Sequence, residues 1–201
     1  MTPDDELRTY VAACPVTPDL ARRITGLIAL PWGDEPEVTG AALTALGWTP
    51  PDGMPLDASF VTPQGHPIYG DFTFAMPFAQ FYLVGGEIWP EDSWGTLPGW
   101  HSRPDADRAH FDAHVEACAG VFAEQLGSPA CDVRTEGAES GDDGSWRYVA
   151  WRRGDAVLAI GQDLEGYSYG QDEEARVHIR PLPASEPLPA PDRFADFLRI
   201  H

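Results

Sequence analysis

Hydrophobic and polar positions change period several times along the chain, and the changes divide it into elements. Leu7, Tyr10 and Val11 recur at i, i+3 and i+4, which predicts a short helix over residues 4–13. Thr17-Pro18-Asp19 carries the marks of a helix start: a hydroxyl to cap, a proline preset for the first helical position, and an acid in the first turn. Behind it, Leu20, Ile24, Leu27 and Ile28 form one apolar face that stops before Pro31. A third helix is expected from Glu37 to Leu46-Gly47. Strand-like runs follow at 59–62, 68–75 and 80–89, with Met76-Pro77 separating the last two and Gly85-Gly86 marking a bulge or tight turn. Residues 90–103 read as a Trp- and Pro-rich loop.

The clearest helix covers 104–126, where Phe111, Val115, Cys118, Phe122 and Leu126 share a face, Pro104 fits the first turn and Gly127 the end. A meander of strands follows at 130–135, 146–152, 156–160 and 175–181, with Arg153-Gly154-Asp155 as a hairpin turn. Segments 136–145 and 161–174 read as acidic, Gly-rich loops, and 181–191 as an extended polyproline-type strap before a short helix holding Phe194, Phe197 and Leu198. The pattern predicts an α+β fold, with antiparallel meander sheets packed against one long and several short helices. Leu-Gly closes a predicted helix at 46–47 and again at 126–127. Two degenerate helix-plus-meander halves are one reading of this, and the habit of helices to end in Leu-Gly is the other. A single domain over 1–201 is expected, with sub-halves 1–100 and 101–183 and the strap and final helix over 184–201.

Length and composition narrow the function classes. A chain of 201 residues buries roughly 70% of its unfolded surface and needs no staple, and Cys14, Cys118 and Cys131 lack disulfide spacing. There are 32 Asp and Glu against 13 basic residues, all of them Arg, for a net charge of -19. Lys and Asn are both absent, which suggests a high-GC bacterial genome and makes part of the imbalance compositional. Neither nucleic acid nor an anionic membrane suits so acidic a surface. The N-terminus Met1-Thr2-Pro3-Asp4-Asp5-Glu6 is acidic where a signal peptide is basic and then apolar, so the expected compartment is the cytoplasm.

Candidate chemistry is sparse. His110, His114 and Cys118 stand at i, i+4 and i+8, a spacing two zinc ligands can use on one helix. Cys118, however, falls in the middle of the apolar face, where it reads as a core residue, and no metal or other cofactor is expected. Phosphate-loop, dinucleotide and serine-hydrolase motifs are missing, since Glu165-Gly166-Tyr167-Ser168-Tyr169-Gly170 is only a distant echo of a nucleophile elbow. Cys14 and Cys131 are the remaining candidate nucleophiles, each beside Pro or Asp rather than in an electropositive setting. The carboxylate pairs Asp34/Glu35, Asp142/Asp143 and Asp172/Glu173/Glu174 read as solvated charge. His178 alternates with Val177 and Ile179, which places it with Arg176 and Arg180 on a polar strand face, where they are expected to neutralise the acidic 161–174 segment, the alternative being an anion site. Trp94 and Trp100 lie in a loop without periodicity, as core caps or as interface anchors.

The second half carries a resemblance. A helix over 111–126 ends in Leu-Gly-x-Pro, then comes the run Tyr148-Val149-Ala150-Trp151-Arg152-Arg153-Gly154-Asp155-Ala156-Val157-Leu158 and the closing Arg176-Val177-His178-Ile179-Arg180-Pro181. Over about residues 105–183 this resembles small uncharacterised actinobacterial proteins, some of which look like immunity proteins of polymorphic toxin systems. The resemblance brings packing motifs and no catalytic residue. It implies a non-catalytic module that occludes a cognate toxin, a basic protein partner. Asp142, Asp143, Asp163, Glu165, Asp172, Glu173 and Glu174 are the candidate contact residues, with Trp94 or Trp100 as an anchor. The alternative is a small-molecule-binding protein or hydrolase using the aromatic segment 72–100 with His110 and His114. A scaffold subunit whose charge serves solubility is a third reading.

Overall fold

The computed structural model describes residues 7–50, 58–69, 73–85, 97–136, 145–167 and 170–199. Its first element is not a helix but a strand, β1 (Leu7–Ala13), set between two others. The local spacing fits either element. Burial decides, because Tyr10, Val11, Ala12 and Ala13 are all enclosed, which a strand covered on both faces achieves and a surface helix does not.

Helix α1 (Pro18–Leu27) begins where Thr17-Pro18-Asp19 places it, and the Thr17 hydroxyl accepts from the Leu20 N–H at 3.2 Å. Leu20, Ala21, Ile24 and Leu27 are its buried stripe. The indole N–H of Trp32 closes the far end by donating to the Leu27 carbonyl at 2.8 Å. Helix α2 (Pro36–Ala45) follows, then the two-stranded ribbon of β2 (Phe60–Val61) and β3 (Pro67–Ile68).

Strand β4 (Phe74–Gly85) runs straight through Met76-Pro77, where the sequence predicted a break. A register shift between Pro77 and Ala79 is the reason, since a bulge accommodates a residue that cannot donate to the ladder. Part of the expected 90–103 loop is β5 (His101–Pro104), a four-residue edge strand. Pro104 closes that strand, Asp105 turns the chain with φ 57, and α3 (Arg108–Leu126) begins four residues later than its pattern suggests.

The meander is β6 (Cys131–Glu136), β7 (Ser145–Arg153), β8 (Ala156–Tyr167) and β9 (Gly170–Pro181). Gly154, at φ 58, supplies the left-handed residue of the tight β7–β8 turn. A short helix, α4 (Phe194–Leu198), ends the described chain. The seven strands form one antiparallel sheet in the order β5-β1-β4-β9-β8-β7-β6, so it continues across both sub-halves. The first half does not repeat the meander, because β2 and β3 pair apart from the sheet.

Helices α1 and α3 contribute Leu20, Ile24, Phe111, Val115 and Phe122 to the main core, which includes Phe74, Met76, Leu158, Val177 and Ile179 of the sheet. A second cluster joins Tyr148, Ala150, Val157 and Ala159 to Phe194 and Leu198 of α4. There Gly161 leaves room that a side chain would fill: a Cβ would stand 2.4 Å from Leu198 and 3.0 Å from the Tyr148 ring. Arg152 pins the proline-rich strap by donating to the carbonyls of Leu182, Pro183 and Glu186 at 3.1, 3.0 and 2.6 Å. No described helix is long and apolar enough to cross a membrane.

Candidate functional site

The segment 161–174, expected as a loop, is the distal half of the β8–β9 hairpin. Its register sets Asp163 opposite Glu174 and Glu165 opposite Asp172. Directly opposed like charges destabilise a strand pair by a few tenths to about 1 kcal/mol unless something compensates. A meander reverses at every turn. The strand ends Glu136 and Ser145 therefore lie at the same end of the sheet as the β8–β9 turn. The strand ends that flank the first acidic stretch are thus at the same end of the sheet as the acidic β8–β9 hairpin. Asp142, Asp143 and Trp94 lie outside the described residues.

Two of the expected contact residues are not available to a partner. Glu173 and Glu174 are 4% and 2% exposed, because β9 is the middle strand and both its faces are covered. Glu174 accepts from Gln80 Nε2 at 2.5 Å and from Arg176 Nε at 2.5 Å, and the Tyr82 hydroxyl donates in turn to Gln80. The predicted neutralisation by Arg176 is therefore real, but it occurs in the interior rather than on the surface. Next along the same face, His178 is enclosed with its Nδ1 unpartnered among the described residues. Burial, with Arg176 and Arg180 alongside, holds its imidazole neutral, well below the usual histidine range. Arg180 turns outward to donate to Thr73 and to the carbonyls of Phe197 and Arg199, fastening the C-terminal helix.

Glu173 occupies the opposite face of β9. Arg108 Nη1 donates to it at 2.7 Å and the Trp146 indole at 3.0 Å. Burial raises the Glu173 carboxyl above the ordinary range, and Arg108 and Trp146 work against that rise. The Arg108 guanidinium also lies over the rings of Phe81 and Phe111, so this group ties α3 to the sheet.

Trp100 is a core cap, not an anchor: it is 4% exposed, packs with Tyr10, Ala12 and Cys14, and donates to the Gly65 carbonyl at 3.0 Å. Described aromatics of the 72–100 segment fill the interior, with Phe74 and Phe78 in the main core and Phe81 against Phe111. Beside Trp100 two loops cross so closely that a Cβ on Gly65 would stand 1.8 Å from the Pro98 carbonyl, and one on Gly99 1.8 Å from the Gln64 carbonyl. Both glycines have positive φ, 97 and 83.

That crossing encloses a Cys–His pair the sequence did not foretell. Cys14 Sγ lies 3.7 Å from His66 Nδ1, while His66 Nε2 donates to the Cys14 carbonyl at 2.9 Å. The Thr62 hydroxyl lies 3.1 Å from Nδ1, and Cys14 also reaches the Gln64 carbonyl. Burial pushes the thiol up to about 12 and His66 down to about 4. At neutral pH this is a protonated thiol beside a neutral imidazole, a packing arrangement and not an ion-pair nucleophile.

His110 and His114 line a different space. Cys118 is buried in the main core, away from them in role. With His101 and Arg103 of β5, they form walls of a cleft of about 200 Å³ above Val11, Ala13 and Pro15. Asp107 caps α3 and holds His110 Nδ1 at 2.6 Å. Burial, and His110 beside it, lower the His114 pKa. No group of three metal-ligating side chains comes together among the described residues. Sequence reasoning found the i, i+4 histidines and missed His101 and Arg103, whose only signal was an alternation too short to read as a strand.

No family, curated protein or solved structure matches the chain.

Proposed function

We propose that the chain is a non-catalytic, cytoplasmic protein-binding module of immunity type that neutralises a basic toxin domain by occluding it. The supporting observation is the meander topology, which sets the strand ends Glu136 and Ser145 at the same end of the sheet as the acidic β8–β9 hairpin. Asp163, Glu165 and Asp172 of the hairpin, with Asp142, Asp143 and Trp94, are the proposed contact residues. Glu173 and Glu174 serve instead as buried supports of the strand beneath them. A basic partner supplies counter-charges to these carboxylates, and their field accelerates encounter with a basic surface.

The test is co-expression with the candidate toxin, together with association kinetics at low and high salt. Wild type should rescue growth and bind a basic domain at a rate that falls steeply with salt. Charge reversal at Asp142, Asp143, Glu165 and Asp172 together should slow association at least about tenfold and abolish rescue. Unchanged rescue and unchanged salt dependence in that variant would sink the proposal.

A further inference from the structure

The cleft at the β5 edge of the sheet stands out by its charge. The chain has 32 acidic residues against 13 Arg and 6 His, yet the polar lining of the cleft is His101, Ser102, Arg103, His110 and His114, and the Asp107 carboxylate beside it is engaged with His110 Nδ1 at 2.6 Å. Elsewhere the described arginines are largely engaged: Arg8 with Asp105, Arg22 and Arg23 with Asp19, Arg147 with Asp132, Arg152 with the strap carbonyls. Arg103 has no hydrogen bond or ion pair among the described residues, and neither His101 nor His114 has a hydrogen-bond partner there. A guanidinium with no counter-ion among the described residues of so acidic a chain is an open position for an anion.

Backbone geometry builds the cleft from three elements. The β1–β5 register sets Arg103 opposite Val11 and His101 opposite Ala13, so the two side chains stand on one edge at alternate positions. His110 and His114, one helical turn apart on α3, form the facing wall. Pro15, exposed, supplies the accessible apolar side of the cleft, over the nearly enclosed Val11 and Ala13. Asp107 occupies Nδ1 of His110 and leaves Nε2 as that ring's open nitrogen. Polar groups converging beside an apolar surface are the composition of a small-molecule site. Guanidinium and imidazole N–H groups suit a carboxylate, and the Pro15 side suits a compact apolar body attached to it.

We propose that this cleft binds a small organic carboxylate with a compact apolar body, its carboxylate on Arg103 and the imidazole N–H groups and its body against Pro15. The site lies four strands from β8 in the sheet and is independent of the acidic end.

Benzoate is the probe, followed on the full-length protein by the histidine ring resonances in 1H–13C spectra. Saturable shifts are expected at His101, His110 and His114, while the enclosed His66 and His178 stay fixed as internal references. Arg103→Ala, at an exposed edge position, should weaken binding about tenfold with the fold intact. Benzyl alcohol, which keeps the body and drops the charge, should bind at least about tenfold more weakly. Absence of a saturable shift, equal binding by Arg103→Ala, or equal binding of benzyl alcohol would each overturn the assignment. Inorganic phosphate binding as tightly as benzoate would overturn the apolar part of it.

Discussion

Over residues 174–179 the two faces of β9 are equally buried and chemically opposite. Ala175, Val177 and Ile179 point into the helix-covered core at 0% exposure, while Glu174, Arg176 and His178 on the other face are only 2, 5 and 3% exposed. On the first face Val177 and Ile179 each contribute about 1.5–3 kcal/mol by leaving water, with no demand on their neighbours' orientation. On the second, desolvation of Glu174 and Arg176 largely offsets their attraction, and the arrangement holds only while each partner is present. The apolar face is therefore graded and the polar face close to all-or-none. An alternating strand need not have a wet side.

The largest effect should come from breaking the polar face. Glu174→Ala or Arg176→Ala removes one side of a buried ion pair and should cost about 3–5 kcal/mol in urea unfolding. The paired change Glu174→Leu with Arg176→Met should cost less than either single variant. A double variant as unstable as the sum of the singles would show that the two side chains act independently.

Acid probes the same face through its histidine. His66 and His178 have pKa values depressed by burial, to about 4 for His66 and well below the usual range for His178. Both are neutral when folded and titrate near 6.5 when unfolded, so their contribution is intact above about pH 6.5 and lost as pH falls. For His66 the loss runs from about pH 6.5 to about pH 4 and then levels off. Each histidine adds a slope of up to about 1.4 kcal/mol per pH unit in that window. In His178→Gln the pH dependence of the unfolding free energy should be shallower than in wild type over the same range. Parallel curves would rule out its titration as a source of acid sensitivity.

The apolar face should respond in small steps. Ile179→Val removes one methylene and should cost about 1 kcal/mol, read as a shift in the urea midpoint at constant slope. Smallest of all is the distal hairpin, where Glu165→Gln relieves the opposition to Asp172 and should stabilise by roughly 0.2–1 kcal/mol at low salt, and by less at high salt. Destabilisation by Glu165→Gln would mean that its charge is already matched in the free protein.

How much of this the sequence discloses follows from how local each cause is. Thr17-Pro18-Asp19, the Phe111-to-Phe122 stripe and the turn at Gly154 are decided by neighbours within a few residues, and all three form where the pattern puts them. β1 is decided by what covers it, β4 by a bulge that excuses Pro77, and β5 by a β1 partner nearly a hundred residues earlier. The acidic 161–174 stretch reads as a loop because Asp, Glu and Gly are poor strand residues. It pairs because Arg176 and Gln80 receive Glu174 in the interior. His110 and His114 are legible as an i, i+4 pair. His101 and Arg103 join them only through the β1–β5 register.

The strand order has a consequence for the chain as it is made. β9 stands at the centre of the sheet and is the last strand in the sequence, so β4 and β8 both wait for it. At roughly 5–20 residues per second, residues 86–170 take on the order of 4–17 s to synthesise. During that interval β4 carries an unpaired edge. A bare edge of that kind is a template for other chains. A nascent protein of this topology therefore depends on its last strand to cover its fourth, and a ribosome that stalls before residue 170 leaves an adhesive fragment rather than a smaller version of the fold.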